Sequence, residues 1–284
     1  MKNVDFYRPD GKKLNIEIIK YEPDDLSRNK TPDRHRHNFH SIFFILRGKS
    51  FQEVEFQDFE LTENQILLIP QGSIHWEKEI ENLSGYVILF KDEFFTKLQR
   101  QLLYGLLHYA SALRKLLIPL GQEDRDTIKL YFDLLMKEQE QDENQNQTFI
   151  LQNLMLALLN RIEGVIQNLP EINSFLIYRG PFQRFIELVD ETYTDHNSLD
   201  FYASELNMTQ RKLNEAVKRL TGQTASNYII DKIMLEAKRD LCFSRQSIKE
   251  IAFKLGYESQ YYFSRIFKNR TGMSPEQFRI LYAE

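Results

Sequence analysis

The segment Lys249–Arg279 reads KEIAFKLGYESQYYFSRIFKNRTGMSPEQFR, and it decides the fold of the C-terminal part of the chain. Ser247 and Glu250, just at its start, have the spacing of a capping box, which predicts the first residue of a helix. Gly256 is placed to end that helix, and Ser259 is placed to begin a second one. A helix, a short turn and a second helix are the plan of a helix-turn-helix unit.

A second version of this segment lies about fifty residues upstream, where Tyr202–Tyr228 reads YASELNMTQRKLNEAVKRLTGQTASNY. At an offset of fifty the aligned pairs are Leu213 with Phe263, Val217 with Phe267, Lys218 with Lys268, Thr221 with Thr271, and Gly222 with Gly272. Further upstream, Ala203 and Leu206 align with Ala252 and Leu255 at an offset of forty-nine. The sequence therefore predicts an internal repeat of one supersecondary unit.

The second helix of each copy has an apolar face and a polar face. Phe263, Ile266 and Phe267 have the spacing of one inward face, which leaves polar residues and cations outside. The outward residues are Gln210, Arg211, Asn214 and Lys218 in the first copy, and Gln260, Tyr261, Ser264, Arg265 and Lys268 in the second. Such faces are usually only solvated, but two matching copies favour side chains that pair with bases and phosphates.

The segment Ser198–Arg279 resembles the DNA-binding domain of AraC/XylS-type transcription regulators, in which a long helix joins two helix-turn-helix units. The joining helix corresponds to Ser226–Phe243. The resemblance implies that the outward residues other than Lys218 and Lys268 face bases in two successive major grooves, roughly 34 Å apart. It also implies that Lys218 and Lys268 lie near phosphates. Glu215 stands where the family often has a cation.

The first ninety residues have the alternation of short strands. The predicted strands are Ser41–Gly48, Ser50–Phe56, Gln65–Pro70 and Ser84–Phe90. Turn signals at Arg47-Gly48-Lys49 and Pro70-Gln71-Gly72 separate them, which is typical of a sandwich or a small barrel. From Lys91 the period becomes helical, with predicted helices over 93–117, 128–141 and 149–166. Pro170, Gly180 and Pro181 then predict a linker over residues 168–180.

The stretches HRHNFHSIFFILRG (His35–Gly48) and QILLIPQGSIHW (Gln65–Trp76) resemble the cupin-like β-barrel sensor that precedes this DNA-binding domain in many such regulators. The resemblance implies a pocket for a small-molecule effector. The residues assigned to it are His37, His40, Phe44, His75, Trp76 and Tyr86.

Two other readings of the chain stay open. His35, His37, His40 and His75 are of the residue type that binds transition metals, as in a metal-dependent cupin enzyme. Metal cupins usually place a carboxylate shortly after His-x-His, where this chain has Ser41. We therefore predict no metal, no cofactor and no enzyme activity. The second alternative is a DNA-binding protein that responds to no effector.

The composition indicates the cellular compartment and argues against a disulfide-rich or membrane-spanning protein. The 284 residues carry a formal net charge of −4 and one cysteine, Cys242, so no internal disulfide framework is possible. The N-terminus has no apolar signal region, and no run of about 18 apolar residues indicates a membrane span. We expect a cytoplasmic protein with no membrane association.

These patterns together predict an α+β protein with a cupin-like β-barrel and trailing helices, followed by an all-α double helix-turn-helix domain. The expected boundaries are 1–167 for sensing and dimerisation, 168–180 for the linker and 181–284 for DNA binding. The predicted function is sequence-specific transcription regulation in response to a small molecule. The predicted partners are promoter DNA, an unknown small-molecule effector, a second copy in a homodimer, and RNA polymerase.

Overall fold

The computed structural model describes residues 3–4, 15–22, 34–96, 99, 116–141, 145–168, 175–195 and 198–282. Backbone contacts divide the chain into two compact units. The sheet unit spans Lys2–Asn173, and the helical unit spans Ser174–Glu284. The division between them lies within the segment predicted as a linker.

The sheet unit has strands first and helices after them. Its strands are β1 (Asn3–Val4), β2 (Ile16–Tyr21), β3 (His35–His37), β4 (His40–Val54), β5 (Gln57–Leu61), β6 (Gln65–Ile69), β7 (Ile74–Phe90) and β8 (Leu117–Pro119). A short 3-10 helix (Asp92–Phe94) follows β7, and helices α1 (Gln122–Gln139) and α2 (Gln145–Gln167) follow β8. This order, with the helical unit following in the chain, confirms the predicted α+β class.

Strands β4 and β7 form the centre of the sheet. They pair antiparallel along nearly their whole length, over residues 40–54 and 75–90. The first half of β4 also pairs with β6 and its second half with β5, while β2 and β3 pair with β7. Register shifts between Ile45 and Lys49 interrupt the ladder, and such bulges bend a strand. The two halves of the central pair therefore build two differently flanked parts of one bent sheet.

The predicted strands are present, but three of the four belong to longer strands. Ser41–Gly48 and the first five residues of Ser50–Phe56 fall on the single strand β4, because Arg47-Gly48-Lys49 produces the bulge and not a turn. Glu55 and Phe56 instead form the turn before β5, with φ of 51° and 63°. Ser84–Phe90 is the end of β7, which begins at Ile74. A glycine between cations reads as a turn in sequence, whereas pairing to β7 on both sides keeps the chain extended.

The predicted turn and the first predicted helix of the sheet unit have different outcomes. The turn after β6 is confirmed, since the N–H of Ser73 donates to the carbonyl oxygen of Pro70 at 3.2 Å. The helix predicted over 93–117 falls mostly outside the described residues, and its last position begins strand β8. Strands β1, β2, β3, β5 and β8 are not among the four predicted strands.

Over Asn146–Gln167, helix α2 is long and apolar enough to cross a membrane by length and composition alone. It is the only such helix in the described part of the chain. Met155, Leu158 and Ile162 on this helix are fully buried. The helix packs along α1 within the sheet unit. This burial is what the core helix of a folded domain shows.

The helical unit contains seven helices in its described residues. They are α3 (Phe175–Thr192), α4 (Leu199–Glu205), α5 (Gln210–Thr221), α6 (Ala225–Phe243), α7 (Ile248–Lys254), α8 (Gln260–Thr271) and α9 (Pro275–Tyr282). The pairs α4–α5 and α7–α8 are the two helix-turn-helix units, and α6 joins them. The joining helix begins one residue before its predicted start and ends at its predicted last residue, Phe243.

Helix α3 corrects the predicted linker. Residues 175–180 are helical, and the helix continues through Gly180 and Pro181 to Thr192. The residues that follow Pro181 explain this continuity, because Phe182, Phe185 and Val189 are fully buried on one face. Burial of this apolar stripe outweighs the local preference of a Gly-Pro pair to break a helix.

The two helix-turn-helix units repeat the same turn. Asn207 in the first unit and Gly256 in the second have a left-handed backbone, with φ of 53° and 79°. The N–H of the next residue then donates to a carbonyl oxygen five positions back, at 2.8 Å in the first unit and 3.0 Å in the second. These matching bonds confirm the internal repeat.

The helix ends also match the sequence signals. Ser247 and Glu250 form the predicted capping box, and Ser259 caps α8 by accepting from the N–H of Tyr262 at 3.4 Å. At the far ends of α5 and α8, the hydroxyls of Thr221 and Thr271 each donate to the carbonyl oxygen four residues back at 2.8 Å. Helices α5 and α8, the second helix of each unit and therefore its recognition helix, have fixed and equivalent boundaries.

A cluster of charged side chains ties three strands of the sheet unit together. Arg34 donates to both carboxylate oxygens of Glu53 on β4, at 2.6 Å and 3.1 Å. Lys78 on β7 bridges Glu53 at 3.1 Å and Asp58 on β5 at 2.5 Å. Burial disfavours the Glu53 carboxylate, but the bonds from Arg34 and Lys78 outweigh it and hold its pKa below the ordinary value.

We predict that Gly256→Ala destabilises the helical unit more than Gly222→Ala. Both glycines have positive φ, which costs an alanine about 1–2 kcal/mol. At Gly256 a Cβ would also lie 2.4 Å from the carbonyl oxygen of Thr194, whereas nothing lies within 4 Å at Gly222. Urea unfolding of the full chain, followed by circular dichroism, measures both, and equal losses would contradict the steric part of this prediction.

We predict that Glu53→Gln lowers the free energy of unfolding of the sheet unit by about 1–3 kcal/mol at pH 7. The folded-state pKa of Glu53 is lower than its unfolded value, so its contribution is fully present above the ordinary carboxyl pKa near 4.5. The contribution disappears as the pH falls through the folded-state pKa. The difference in free energy of unfolding between the unmodified chain and Glu53→Gln should therefore shrink in acid. A difference that stays constant from pH 7 to pH 3 would contradict this prediction.

Candidate nucleic-acid interface and effector site

Helix α8 has a buried inner face and an outer face with several exposed side chains. Its inner residues Phe263 and Phe267 are fully buried. On the outside, 88% of Tyr261 is exposed, and the guanidinium of Arg265 lies over the ring of Tyr262 at 5.3 Å. Stacking on an aromatic ring limits the rotamers of Arg265 and holds its donors away from the protein core.

Helix α5 is built in the same way but uses more of its polar groups internally. Its inner residues Leu213, Ala216 and Val217 are fully buried. The amide of Gln210 donates to a carboxylate oxygen of Asp200 on α4. The side-chain oxygen of Asn214 accepts from the N–H of Ala225, the first residue of α6, at 2.9 Å.

The structure places all nine predicted DNA-facing residues on the two recognition helices, with their side chains outside the core. The exposed ones are Gln210, Arg211, Lys218, Tyr261, Arg265 and Lys268, and the half-buried ones are Asn214, Gln260 and Ser264. Two of them, Gln210 and Asn214, make the internal hydrogen bonds described above. This difference between the two units is not visible in the sequence.

A buried polar network lies between β4 and β7 in the sheet unit. Ser50 and Gln52 are 0% and 1% exposed, and His75 is 6% exposed. The amide of Gln52 donates to the hydroxyl of Ser50 at 3.0 Å, while its oxygen lies 3.0 Å from Nε2 of His75. The hydroxyl of Ser50 donates to Glu77 at 3.3 Å. Of the five predicted effector residues whose side chains the structure describes, only His75 belongs to this network.

The polar network was accessible to sequence reasoning through one signal. Ser50 and Gln52 on one strand, and His75 and Glu77 on another, are each two positions apart, which places each pair on one face.

Two of the other predicted effector residues, Phe44 and Tyr86, contact a helix of the sheet unit. Phe44 and Tyr86 are buried, and each ring packs against Phe132 of α1, at 5.4 Å and 5.3 Å. The hydroxyl of Tyr86 donates to Asp133 of the same helix at 2.5 Å. These two residues attach a helix to the sheet, so they do not share a site with the polar network.

Trp76 and His40 also have structural partners. The ring of Trp76 lies under Arg34, at 4.8 Å, and under Lys78, at 5.3 Å. Nδ1 of His40 accepts from the N–H of Gln71 at 2.9 Å, so the proton is on Nε2, which donates to Asp92 at 2.9 Å. The backbone of His37 lies in β3, and its side chain is outside the described part of the chain.

The histidines do not assemble a metal centre in the part that the structure describes. His35 and His75 are neighbours, with ring centroids 5.3 Å apart, but both ring nitrogens of His40 are used in hydrogen bonds. Among the described residues, no group of three or more His, Cys, Asp or Glu side chains is placed to hold a metal ion.

Family models match both units of the chain. The model of the AraC-like ligand binding domain matches residues 24–158, and a helix-turn-helix domain model matches residues 202–280. The chain is also 22% identical over 252 residues to the HTH-type transcriptional activator RhaS of Escherichia coli O1:K1, with 86% of each chain covered.

Solved structures with similar folds include ToxT from Vibrio cholerae, at 16% identity and a TM-score of 0.45, with 95% of this chain and 98% of that chain covered. The C-terminal domain of AraT, a response regulator from Geobacillus stearothermophilus, is 28% identical, with a TM-score of 0.34 and coverage of 36% and 84%. Both TM-scores are below 0.5, so the assignment rests on the two family models. The chain belongs to the AraC family of transcription regulators, with a ligand-binding domain followed by a helix-turn-helix DNA-binding domain.

Proposed function

We propose that this regulator reads a specific, asymmetric promoter sequence with α5 and α8 and changes its DNA affinity when a small polar molecule binds in the sheet unit. The observation that carries the proposal is the repeated turn geometry, which gives both recognition helices the same boundaries and the same outward face. Two units on one chain can occupy two successive major grooves, roughly 34 Å apart.

We propose the polar network of Ser50, Gln52, His75 and Glu77 as the effector site, which keeps only His75 of the six residues predicted from sequence. Its amide, imidazole, hydroxyl and carboxylate groups suit a small molecule that carries hydroxyl or amino groups. Buried polar groups are costly unless they are satisfied, and a ligand can exchange its own hydrogen bonds for those within the network. Such a ligand acts on DNA binding only through different affinities for two states of the protein.

We further propose a cytoplasmic homodimer that contacts RNA polymerase and catalyses no reaction. Exposed apolar residues on the two helices of the sheet unit support dimerisation there. They are Leu130 and Leu134 on α1, at 59% and 41% exposed, and Phe149 and Ile150 on α2, at 50% and 44%. The engagement of both His40 nitrogens supports a non-catalytic sensor.

The DNA-reading part of the proposal is tested by two substitutions on one helix. Arg265→Ala should relax the sequence preference at one base pair, with about 1–3 kcal/mol of discrimination lost. Lys268→Ala should weaken binding to all sequences alike and reduce the salt dependence of log K by about one unit, because it removes a phosphate contact.

The measurement is fluorescence anisotropy on a selected site, on its single-base variants and on random duplex, over a range of salt concentrations. The proposal fails if the unmodified chain shows no sequence preference at all. If Arg265→Ala weakens binding to all DNA sequences equally, Arg265 does not read a base, but the rest of the proposal stands.

The effector part is tested with Gln52→Leu. In a thermal-shift screen of sugars, polyols and amino acids, a ligand at 100 times its Kd should stabilise the unmodified chain by about 2.7 kcal/mol. Gln52→Leu should lose that response and keep its DNA affinity without ligand, whereas Tyr86→Phe, at the helix contact, should keep both. A response that survives Gln52→Leu would place the effector elsewhere, and a screen that moves neither melting temperature nor DNA affinity would favour an effector-independent DNA-binding protein.

A further inference from the structure

Glu215 and Arg265 occupy the same position in the two recognition helices. They are fifty residues apart, the offset that aligns the buried residues of α5 with those of α8. The helix ends agree with this alignment, since Gly222 and Gly272 both have a left-handed backbone, with φ of 75° and 82°. The position that carries a guanidinium in the second unit therefore carries a carboxylate in the first.

The surroundings of Glu215 are strongly cationic. It is the only acidic residue in Gln210–Thr221, and the cations of that helix are Arg211, Lys212, Lys218 and Arg219. Oε1 of Glu215 accepts from Arg219, one helical turn further on, at 2.8 Å, and both side chains are about half exposed, at 48% and 50%. Arg219 neutralises and orients the carboxylate, so the helix keeps a cationic face toward DNA despite the acid.

A carboxylate that faces a major groove needs a hydrogen-bond donor there. Of the four bases, only cytosine and adenine present a donor in the major groove, namely the N4 and N6 amino groups. Adenine also presents the acceptor N7 beside its amino group, which repels a carboxylate, whereas cytosine has no acceptor beside N4. Guanine and thymine present acceptors at the corresponding place.

We propose that Glu215 is a specificity-determining residue that accepts a hydrogen bond from the N4 amino group of a cytosine in the half-site of the first unit. Arg219 is its positioning residue. The inference rests on the proposed DNA-reading role of α5 and α8, and it adds which base the first unit recognises at this position. The first unit selects cytosine at the position where the second unit selects guanine through Arg265.

The sharpest test exchanges the two side chains. Binding-site selection from randomised duplexes, followed by affinity measurements on single-base variants, is carried out with the full chain and its variants. Glu215→Arg should change the preferred base at one position from cytosine to guanine, by about fivefold or more in affinity ratio, and should leave the other half-site unchanged. Arg265→Glu should make the opposite change, from guanine to cytosine, in the half-site of the second unit.

Glu215→Ala is a second test variant, which removes the carboxylate of a half-exposed side chain and adds no new group. It should abolish the cytosine preference at that one position while melting temperature and preferences elsewhere are retained. If Glu215→Ala and Glu215→Arg change affinity equally for all sequences, Glu215 is only an ion-pair partner of Arg219 and the inference is wrong. If that outcome comes with an intact base preference in the second half-site, the proposed function stands. If the unmodified chain shows no sequence preference at all, both the proposed function and the inference about Glu215 are wrong.

Discussion

The apolar stripe of α6 is the constraint on which the DNA-reading half of this protein depends. Ile229, Ile233, Ala237 and Leu241 are buried at helical spacing, and α5, α7 and α9 pack against this helix. Because a buried apolar face is non-directional but close-packed, it holds both helix-turn-helix units at a fixed separation. No part of either recognition surface needs to contact the other for the two to act together.

Polar contacts add orientation to that packing. Arg270, at the end of α8, donates to Asn227 at 2.7 Å and to Asp231 at 3.3 Å, which anchors the second recognition helix to α6. Lys232 of α6 pairs with Asp190 of α3 at 2.8 Å. Burial works against the Lys232 ammonium, but Asp190 and Glu236 outweigh it and raise its pKa above the ordinary value. These bonds fix how the helices are rotated about α6, which the apolar stripe alone does not.

The two units share a framework and differ in how freely their polar side chains can meet DNA. In the first unit Gln210 holds α4 and Asn214 caps α6, so part of its predicted reading surface stabilises the unit itself. In the second, Ser264 replaces Asn214, and Arg265 lies over an aromatic ring. An internal repeat thus provides one scaffold on which two different sets of reading chemistry can evolve.

The central strand pair of the sheet unit carries two groups of side chains with different partners. Phe44 and Tyr86 face α1 and attach the helix, while Gln52 and His75 form the buried polar network. The sequence by itself determined the helix caps, the repeat, and the inward and outward faces of α5 and α8, because these depend on side chains within one or two helical turns. Only the tertiary structure decided which strand face holds the polar network, which residues of α5 are used internally, and that α3 continues through Pro181. Each of these depends on partners that are distant in sequence, and period-two alternation does not say which of two mixed faces is covered.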